Sequence, residues 1–389
     1  MRMDDSCYAI KARRIFCEEG IIDNAAVVVA DGIIAAVSTA DLTDGVESII
    51  DCSEFQIIPG LFDTHIHGAC GYDTGQGTLT ALNEMSLFLA RHGVTSFLAA
   101  TVTDRLDKVQ AALANIDAAM GQMNGARLLG AYVEGPYLGE KHRGAHPASL
   151  LRPPRPRELA AFLAAGGNCV KTVAISPDLP DALAAIATIR QKGVNVAVGH
   201  TDATYEQTKQ AFDAGAGIAV HIFNGMRGLH HREPGVVGAG LTDDRAYVEL
   251  IADYEHVHPA VMDIIFRCKR KDKVVLISDA MAAAGMPDGE YTLGTLKVSV
   301  ENSVARAEDG SLAGSTTNLL ACVGRLIEQS GLAPLDAVHM ASLNPAKLYN
   351  RDGEIGSIRQ GKRADLVVVD DHYTPVITII GGRLVYRRS

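Results

Sequence analysis

The sequence predicts an α/β protein, a (β/α)₈ barrel of the TIM type with a small β-sandwich domain formed by the N- and C-terminal segments. Three observations support this prediction. Short β-rich runs open and close the chain, apolar β-rich runs alternate with helical stretches between them, and eight such alternations can be counted. That alternation is typical of a parallel sheet. The 389 residues, 47% of them hydrophobic, are enough to bury a core of this size.

The terminal segments have the texture of antiparallel β structure. The N-terminal part reads YAIKARRIF, AAVVVADGIIAAV and VESIIDC, with Asp31-Gly32 as a hairpin signal. The last forty residues repeat this texture, with Gly381-Gly382 as the turn. We therefore predict a small β-sandwich domain from residues 1–55 and 352–389, and a barrel from residues 56–351.

The middle of the chain contains eight candidate strands separated by amphipathic stretches such as LTALNEMSLFLARHG, DKVQAALANIDAAM and ALAAIATIRQKG. Eight strands with intervening helices in about three hundred residues fit a closed barrel. A doubly wound open sheet is the alternative, but no GxGxxG follows the first strand. The candidate strands are residues 57–67, 94–102, 127–135, 169–176, 194–200, 217–223, 248–253 and 273–280.

Composition excludes several classes of function. The net charge of -10 disfavours nucleic acid or an anionic membrane as a partner, because the averaged surface would repel either. The N-terminus lacks the apolar run of a signal peptide, and no stretch approaches the roughly 20 apolar residues of a membrane span. We therefore predict a cytosolic protein. Seven scattered cysteines without a CxxC pair indicate neither a disulfide framework nor a thiolate zinc site.

Potential metal ligands fall where the candidate strands end, which is the catalytic face of such a barrel. In a strand, residues two apart face the same side, so the histidines of an HxH pair can reach one ion. Nitrogen and carboxylate ligands without thiolate indicate zinc, iron(II), cobalt or manganese. These residues are His65 and His67 after strand 1, Glu134 after strand 3, His200 after strand 5, His221 in strand 6 and Asp279 after strand 8.

Several longer motifs run in order along the chain. They are PGLFDTHIHG, VEGPY, KHRGAHP, VGHTDAT, HIFNGM, HREPG, ADYEHVHP, SDAMAAAG, LAGST and the closing GSIRQGKRADLVVVD. Together they resemble the amidohydrolase superfamily and, more narrowly, the N-acetylglucosamine 6-phosphate deacetylases and their N-acetylgalactosamine 6-phosphate counterparts. The stretches MRGLHHREPGVVGAGLTDDRA and AAGMPDGEYTLG look closer to the galactosamine branch.

The resemblance implies roles for four of these positions and for His146. It implies a metal held by Glu134, His200 and His221, with Asp279 as general base and acid and His146 as hydrogen-bond donor to the carbonyl oxygen. His65 and His67 would hold a second ion, or else merely line the pocket. Zinc is the expected ion, with iron, cobalt and manganese as alternatives, at one or two ions per subunit. Lys171, near the fourth strand, is interpreted as structural.

The resemblance also implies where the sugar phosphate binds. Arg232 and His256 would bind the phosphate with Asn224 and the backbone of Gly225. Arg232 would come from the partner subunit of a homodimer, and a higher homo-oligomer is the alternative. A dihydropyrimidinase, a dipeptidase or a non-catalytic barrel is the alternative, but the first two would lack EGPY with GAHP and HREPG. The expected contacts with the sugar are backbone groups of Ala145, Leu312, Ala313 and Gly314.

Overall fold

A computed structural model describes residues 7–39 and 46–389 of the chain. The strands are β1 (Tyr8–Phe16), β2 (Ile21–Ala30), β3 (Ile33–Ser38), β4 (Ser48–Pro59), β5 (Leu61–Ile66), β6 (Gly68–Ala69), β7 (Tyr72–Asp73), β8 (Val94–Thr101), β9 (Arg127–Val133), β10 (Val170–Ile175), β11 (Asn195–Val198), β12 (Ile218–Ala219), β13 (Tyr247–Leu250), β14 (Val274–Leu276), β15 (Gly289–Leu293), β16 (Leu296–Glu301), β17 (Val304–Ala307), β18 (Leu366–Val369), β19 (Pro375–Ile380) and β20 (Arg383–Arg387). The helices are α1 (Leu79–Arg91), α2 (Leu106–Ala119), α3 (Pro156–Ala165), α4 (Ala182–Gln191), α5 (Tyr205–Asp213), α6 (Gly235–Thr242), α7 (Pro259–Cys268), α8 (Leu319–Gln329), α9 (Pro334–Met340) and α10 (Leu343–Leu348).

Eight parallel strands form the central barrel, in the hydrogen-bonded order β14-β13-β12-β11-β10-β9-β8-β5. The carboxyl end of the first strand meets the segment that follows the last strand, where the Asp279 N–H donates to the His65 carbonyl at 2.9 Å and the His67 N–H to the Ala280 carbonyl at 2.8 Å. All eight candidate strands are confirmed, and each is followed by a helix. The first predicted strand, residues 57–67, joins the end of β4, which belongs to the seven-stranded sheet of the chain ends, to β5. The other predicted strands are longer than the observed ones because they include residues of the adjoining loops.

The helices pack their apolar faces against the barrel because their hydrophobic residues recur at helical spacing. In α1, for example, Leu82, Met85 and Leu89 are buried in the large core cluster between helices and sheet. At the start of α5, the Thr204 side chain and the Gln207 side chain cap each other's backbone N–H groups. The three helical stretches predicted from the sequence correspond to α1, α2 and α4.

The two ends of the chain form one seven-stranded sheet, in the order β20-β19-β18-β4-β1-β2-β3. This sheet folds over on itself, so that the β2–β3 turn meets the β19–β20 turn. The contact needs glycine, because a Cβ at Gly32 would lie 2.7 Å from the Gly381 carbonyl oxygen. An apolar cluster that includes Ile10, Val27 and Ile377 fills the interior of the fold.

This arrangement agrees with the small β domain predicted from the two ends of the chain. The domain limits, at residues 55/56 and 351/352, stay a prediction. Residues 1–6 and 40–45 of the predicted domain lie outside the described residues. The prediction that the N-terminus lacks a signal peptide also rests in part on residues 1–6, which lie outside the described residues.

A three-stranded antiparallel sheet of β15, β16 and β17 follows the last barrel strand and was not predicted. Its inner face packs Leu293, Val298 and Ala305 into one cluster with Val102 and Met281, which lie just beyond barrel strands. The sheet therefore covers part of the carboxyl-terminal rim. It forms one wall of the cavity described below.

In residues 7–39 and 46–389, no helix is both long enough and apolar enough to cross a membrane. The cytosolic location predicted from the sequence stays a prediction.

Candidate active site

Three of the predicted metal ligands meet at the carboxyl-terminal rim of the barrel. Glu134 Oε1 lies 3.1 Å from both His200 Nε2 and His221 Nε2, and the two Nε2 atoms are themselves 3.1 Å apart. All three side chains are buried. We call Glu134, His200 and His221 the first ligand group.

The protons on these two imidazoles are set by the backbone. His200 Nδ1 lies 3.0 Å from the His142 carbonyl oxygen, and His221 Nδ1 lies 3.1 Å from the Asn224 carbonyl oxygen. Because a carbonyl can only accept, each Nδ1 must carry the hydrogen. In the neutral imidazoles both Nε2 lone pairs then point at each other and at a carboxylate oxygen. Three converging lone pairs repel one another unless a cation lies between them, so this donor set fits a metal ion.

The remaining predicted ligands form a second group next to the first. His67 Nε2 lies 3.2 Å from Asp279 Oδ1, and His65 Nε2 lies 3.7 Å from the same oxygen. The other carboxylate oxygen of Glu134, Oε2, is 3.2 Å from His67 Nε2 and 3.6 Å from His65 Nε2. We call His65, His67 and Asp279 the second ligand group. Glu134 therefore faces both groups, one oxygen to each, and is shared between them.

Three of these residues have a backbone conformation that is unusual for anything but glycine. His200, His221 and Asp279 have φ angles of 44°, 23° and 49°, and each lies just beyond the end of a barrel strand. Positive φ is disfavoured for residues with a Cβ, and such strain is concentrated at functional sites. Here it occurs at three residues whose side chains meet in the ligand cluster.

Opposite charges hold the carboxylates of the cluster in their ionised form. Burial raises the pKa of Asp279, but the hydrogen bond from His67 and the nearby charge of His65 outweigh it and lower the pKa to about 2. Glu134 is similarly buried, yet its histidine neighbours lower its pKa well below the ordinary value. Both groups are therefore available as anionic ligands or bases at neutral pH.

His146 lies beside the two groups, and Thr103 sets which of its ring nitrogens carries the hydrogen. Its Nδ1 accepts from the Thr103 backbone N–H at 3.3 Å and lies 2.8 Å from the Thr103 hydroxyl. An Nδ1 that accepts must lack a hydrogen, so the neutral ring carries its proton on Nε2. Burial lowers the pKa of His146 to about 4, which favours that neutral ring. The Nε2–H lies 3.5 Å from Glu134 Oε2 and can donate into the cavity.

A cavity of about 220 Å³ opens directly above the ligand cluster. Two of the predicted substrate contacts do not line it. Ala313 is buried behind it, where its side chain packs against the three-stranded sheet. Arg232 lies exposed in a loop, where its guanidinium contacts His231 Nε2 at 2.7 Å. The predicted residues that do line the cavity are Ala145, His146, Asn224, Gly225, His256, Leu312 and Gly314, beside Glu134, His67, His200, His221 and Asp279.

His256 is held in the cavity wall by an aspartate that the sequence analysis did not single out. Asp253 Oδ2 lies 2.7 Å from His256 Nδ1, and Asp253 Oδ1 accepts from the His256 backbone N–H at 2.9 Å. Burial lowers the pKa of His256, but the bond to Asp253 outweighs it, so the pKa is raised. Asp253 therefore favours the protonated ring, and an Nε2–H edge of that form suits an anion.

Lys171 lies at the start of β10, away from the cluster, and its ammonium donates to the Asn168 carbonyl at 2.8 Å.

Four further residues line the cavity and were not predicted: Val102, Gly144, Leu293 and Ser311. Leu293 could not have been predicted as a cavity residue, because the three-stranded sheet to which it belongs was not predicted. Thr103 follows directly on the strand-2 prediction, and that position at a strand end was the signal that could have found it.

Comparison with known proteins agrees with this geometry. Residues 56–385 match the family model described as the amidohydrolase family. N-acetylgalactosamine-6-phosphate deacetylase of Escherichia coli O157:H7 is 44% identical over 364 residues, which cover 93% of this chain and 95% of the relative. N-acetylglucosamine-6-phosphate deacetylase of Vibrio furnissii is 40% identical over 388 residues, covering 99% and 97%.

Solved structures give the same result. A mutant N-acetyl-D-glucosamine-6-phosphate deacetylase from Mycobacterium smegmatis, in complex with N-acetyl-D-glucosamine-6-phosphate, matches with a TM-score of 0.92 at 32% identity. The match covers 98% of this chain and 99% of that one. N-acetylglucosamine-6-phosphate deacetylase from Thermotoga maritima matches with a TM-score of 0.88 at 31% identity, covering 98% and 100%.

Proposed function

The chain belongs to the amidohydrolase family, and from that premise we propose that it removes the acetyl group from an N-acetylhexosamine 6-phosphate. The products are acetate and the amino sugar 6-phosphate. The observation that carries the proposal is the buried cluster of Glu134, four histidines and Asp279 at the floor of a cavity of about 220 Å³. Relatives that act on these sugars and match almost the whole chain support the choice of substrate.

We propose that the first ligand group holds one divalent cation and the second group a second one. When bound, such a cation supplies a Lewis acid for the acetyl carbonyl and lowers the pKa of water toward about 7. Zinc is the ion we propose, since it is commonly bound by imidazole and carboxylate ligands. Iron(II), cobalt and manganese have the same preference for nitrogen and oxygen ligands and remain alternatives.

Asp279 is the proposed base and acid of the reaction. Its carboxylate is ionised and lies against His67 at 3.2 Å, so it can take a proton from the attacking water. The water oxygen bonds to the acetyl carbon while the carbonyl oxygen gains negative charge. Asp279 then returns the proton to the sugar nitrogen as the carbon–nitrogen bond breaks. The acid proton of the acetic acid formed passes to the amine, which gives acetate and the ammonium form of the sugar.

His146 is the proposed donor to the carbonyl oxygen. Its Nε2–H is fixed by the two contacts of Nδ1 with Thr103, so the donor is oriented before substrate arrives. A donor that is already in place stabilises the developing oxyanion without reorganisation, which is the source of its catalytic effect.

For the phosphate, we propose His256, Asn224 and the Gly225 backbone within the cavity. His256 is held by Asp253 and its pKa is raised, which supports a role as a cation. Arg232 is exposed in a single chain, so we propose that it reaches the phosphate of a partner subunit in a homodimer. Ala145, Leu312 and Gly314 line the cavity where the sugar ring would lie, and Ala313 supports them from behind.

The test is acetate release from N-acetylglucosamine 6-phosphate and N-acetylgalactosamine 6-phosphate, measured in parallel before and after chelation. We expect turnover that is lost with the chelator, restored by zinc, and lowered about 10²–10⁴-fold in Asp279→Asn. The ratio of the two rates identifies the preferred epimer, because one hydroxyl configuration can change binding by about 1 kcal/mol. Turnover of neither sugar by the metal-loaded chain would contradict the proposal.

A further inference from the structure

A third carboxylate, Glu249, lies inside the barrel below the second ligand group. It belongs to β13, where it is the one charged residue in the strand sequence YVEL, and its side chain is completely buried. Burying a carboxylate is costly unless it is paired and hydrogen-bonded. Its position in an otherwise apolar run is the sequence signal that could have drawn attention to it.

Glu249 has few partners for a buried charge. Its Oε2 accepts from the Tyr132 hydroxyl at 3.2 Å, while its Oε1 has no hydrogen-bond partner among the described residues. The ion pair that the structure gives it is with His65, whose Nδ1 lies 3.5 Å from Oε2. Within the described part of the chain, no lysine or arginine forms an ion pair with it. Glu249 is therefore not explained as a partner in a structural ion pair.

His65 lies between Glu249 and the ligand cluster. Its Nδ1 edge faces Glu249, and its Nε2 edge faces Glu134 Oε2 at 3.6 Å and Asp279 Oδ1 at 3.7 Å. The ring also stacks on Tyr132, with ring centres 4.1 Å apart and planes inclined by 29°. A carboxylate at the Nδ1 edge favours the hydrogen on Nδ1, which leaves the Nε2 lone pair free to face the cluster. A carboxylate behind a histidine in this way is how proteins orient imidazole ligands.

Charge balance also favours a further carboxylate, such as Glu249, beside the ligand cluster. Two divalent ions would bring more positive charge than Glu134 and Asp279 neutralise, and the ligand cluster is buried. A third buried carboxylate lowers that excess. The first ligand group needs no such residue, because the backbone carbonyls of His142 and Asn224 hold its imidazoles.

We propose that Glu249 is the positioning residue of the second metal position. It holds His65 so that Nε2 joins His67 and Asp279 as a ligand, and it thereby makes the chain bind two ions. The inference rests on the metal cluster of the proposed function, but not on the identity of the substrate. Tyr132 orients the Glu249 carboxylate and the His65 ring from the neighbouring side.

The test is a zinc titration of the metal-free chain, followed by calorimetry and by metal analysis after desalting. We expect two ions in the parent chain. In Glu249→Gln we expect the first ion to bind as before and the affinity for the second to fall about 10–100-fold, the usual effect of losing a group that orients a ligand. Glu249→Leu, which also removes the hydrogen-bond acceptor, should weaken the second ion at least as much.

Two controls separate positioning from a general structural defect. Tyr132→Phe keeps the carboxylate and both rings, so it should weaken the second ion less than Glu249→Gln does. In a His65→Gln background, Glu249→Gln should cause no further weakening, because the imidazole on which it acts is gone. Unchanged affinity for the first ion and an unchanged circular dichroism spectrum report an intact barrel.

The inference is overturned if Glu249→Gln binds two ions with the parent's affinity, or if the parent chain at saturating zinc binds one. It is also overturned if Glu249→Gln weakens metal binding equally with and without His65. These results are independent of the substrate. A chain that binds two ions as expected, yet deacetylates neither sugar, would contradict the proposed function and leave the role of Glu249 standing.

Discussion

The two ligand groups share Glu134 but are held in different ways. In the first group, backbone carbonyls at His142 and Asn224 set the imidazole protons. In the second, neither Nδ1 has a hydrogen-bond partner among residues 7–39 and 46–389, but Nδ1 of His65 lies 3.5 Å from the buried carboxylate of Glu249. One group thus depends on the shape of loops and the other on side chains inside the barrel. We expect the second to be removable with less disturbance of the fold.

The largest effect is expected from Glu134→Gln, which changes the one residue that both groups share. Loss of the charge should weaken both ions together and lower kcat by about 10³-fold or more, since metal polarisation is worth several kcal/mol. Acetate release and metal analysis of the same samples check this. A variant that retains both ions at the parent's affinity would show that Glu134 is not the shared ligand.

Asp279→Asn should impair the chemical step without releasing the ion of the first group. The amide cannot take a proton from water, so we expect kcat to fall about 10²–10⁴-fold while the first ion stays bound. Asp371→Asn is the matched control, because Asp371 is an exposed residue of the small sheet domain paired with Arg13. Loss of the first ion in Asp279→Asn, or a comparable loss of activity in Asp371→Asn, would contradict this assignment.

Gly225→Ala should disturb the first group and spare the second. A Cβ at Gly225, whose φ is 57°, would lie 2.8 Å from His200 Nδ1 and push the ring off its carbonyl. We expect the first ion to bind about 10–100-fold more weakly, as for other losses of ligand orientation. Zinc titrations of Gly225→Ala and Glu249→Gln should then give opposite results, because Gly225→Ala weakens the first ion and Glu249→Gln weakens the second. Equal weakening of both ions in Gly225→Ala would remove the distinction between the groups.

The smallest effect is expected from Thr103→Val, which touches neither group directly. It removes the hydroxyl contact to His146 Nδ1 at 2.8 Å but keeps the backbone N–H contact. A hydrogen bond of about 1 kcal/mol corresponds to a roughly fivefold lower kcat, with metal content unchanged. Steady-state kinetics and metal analysis check both parts. A change in metal content would show that Thr103 supports the ligands instead of His146.

Local pattern was sufficient to predict the barrel and the residues that cluster at its rim. Strand and helix periodicity depends on near neighbours in sequence, which is why all eight strands and the HxH pair of His65 and His67 were found. Ligands at strand ends could be grouped because parallel strands end at one rim of a barrel. Motif resemblance supplied His146 and His256, both of which line the cavity.

The contacts that orient those ligands depend on the tertiary structure. Glu249 lies 184 positions from His65 in the chain, and only the stagger of the closed barrel places them 3.5 Å apart. The three-stranded sheet at the rim, the burial of Ala313 behind the cavity and the exposure of Arg232 likewise follow from packing between distant segments. The sequence alone thus determined the fold class and which residues can bind metal, because those properties are local. Which proton each imidazole carries, and what holds it there, was decided by contacts that exist only once the barrel has closed.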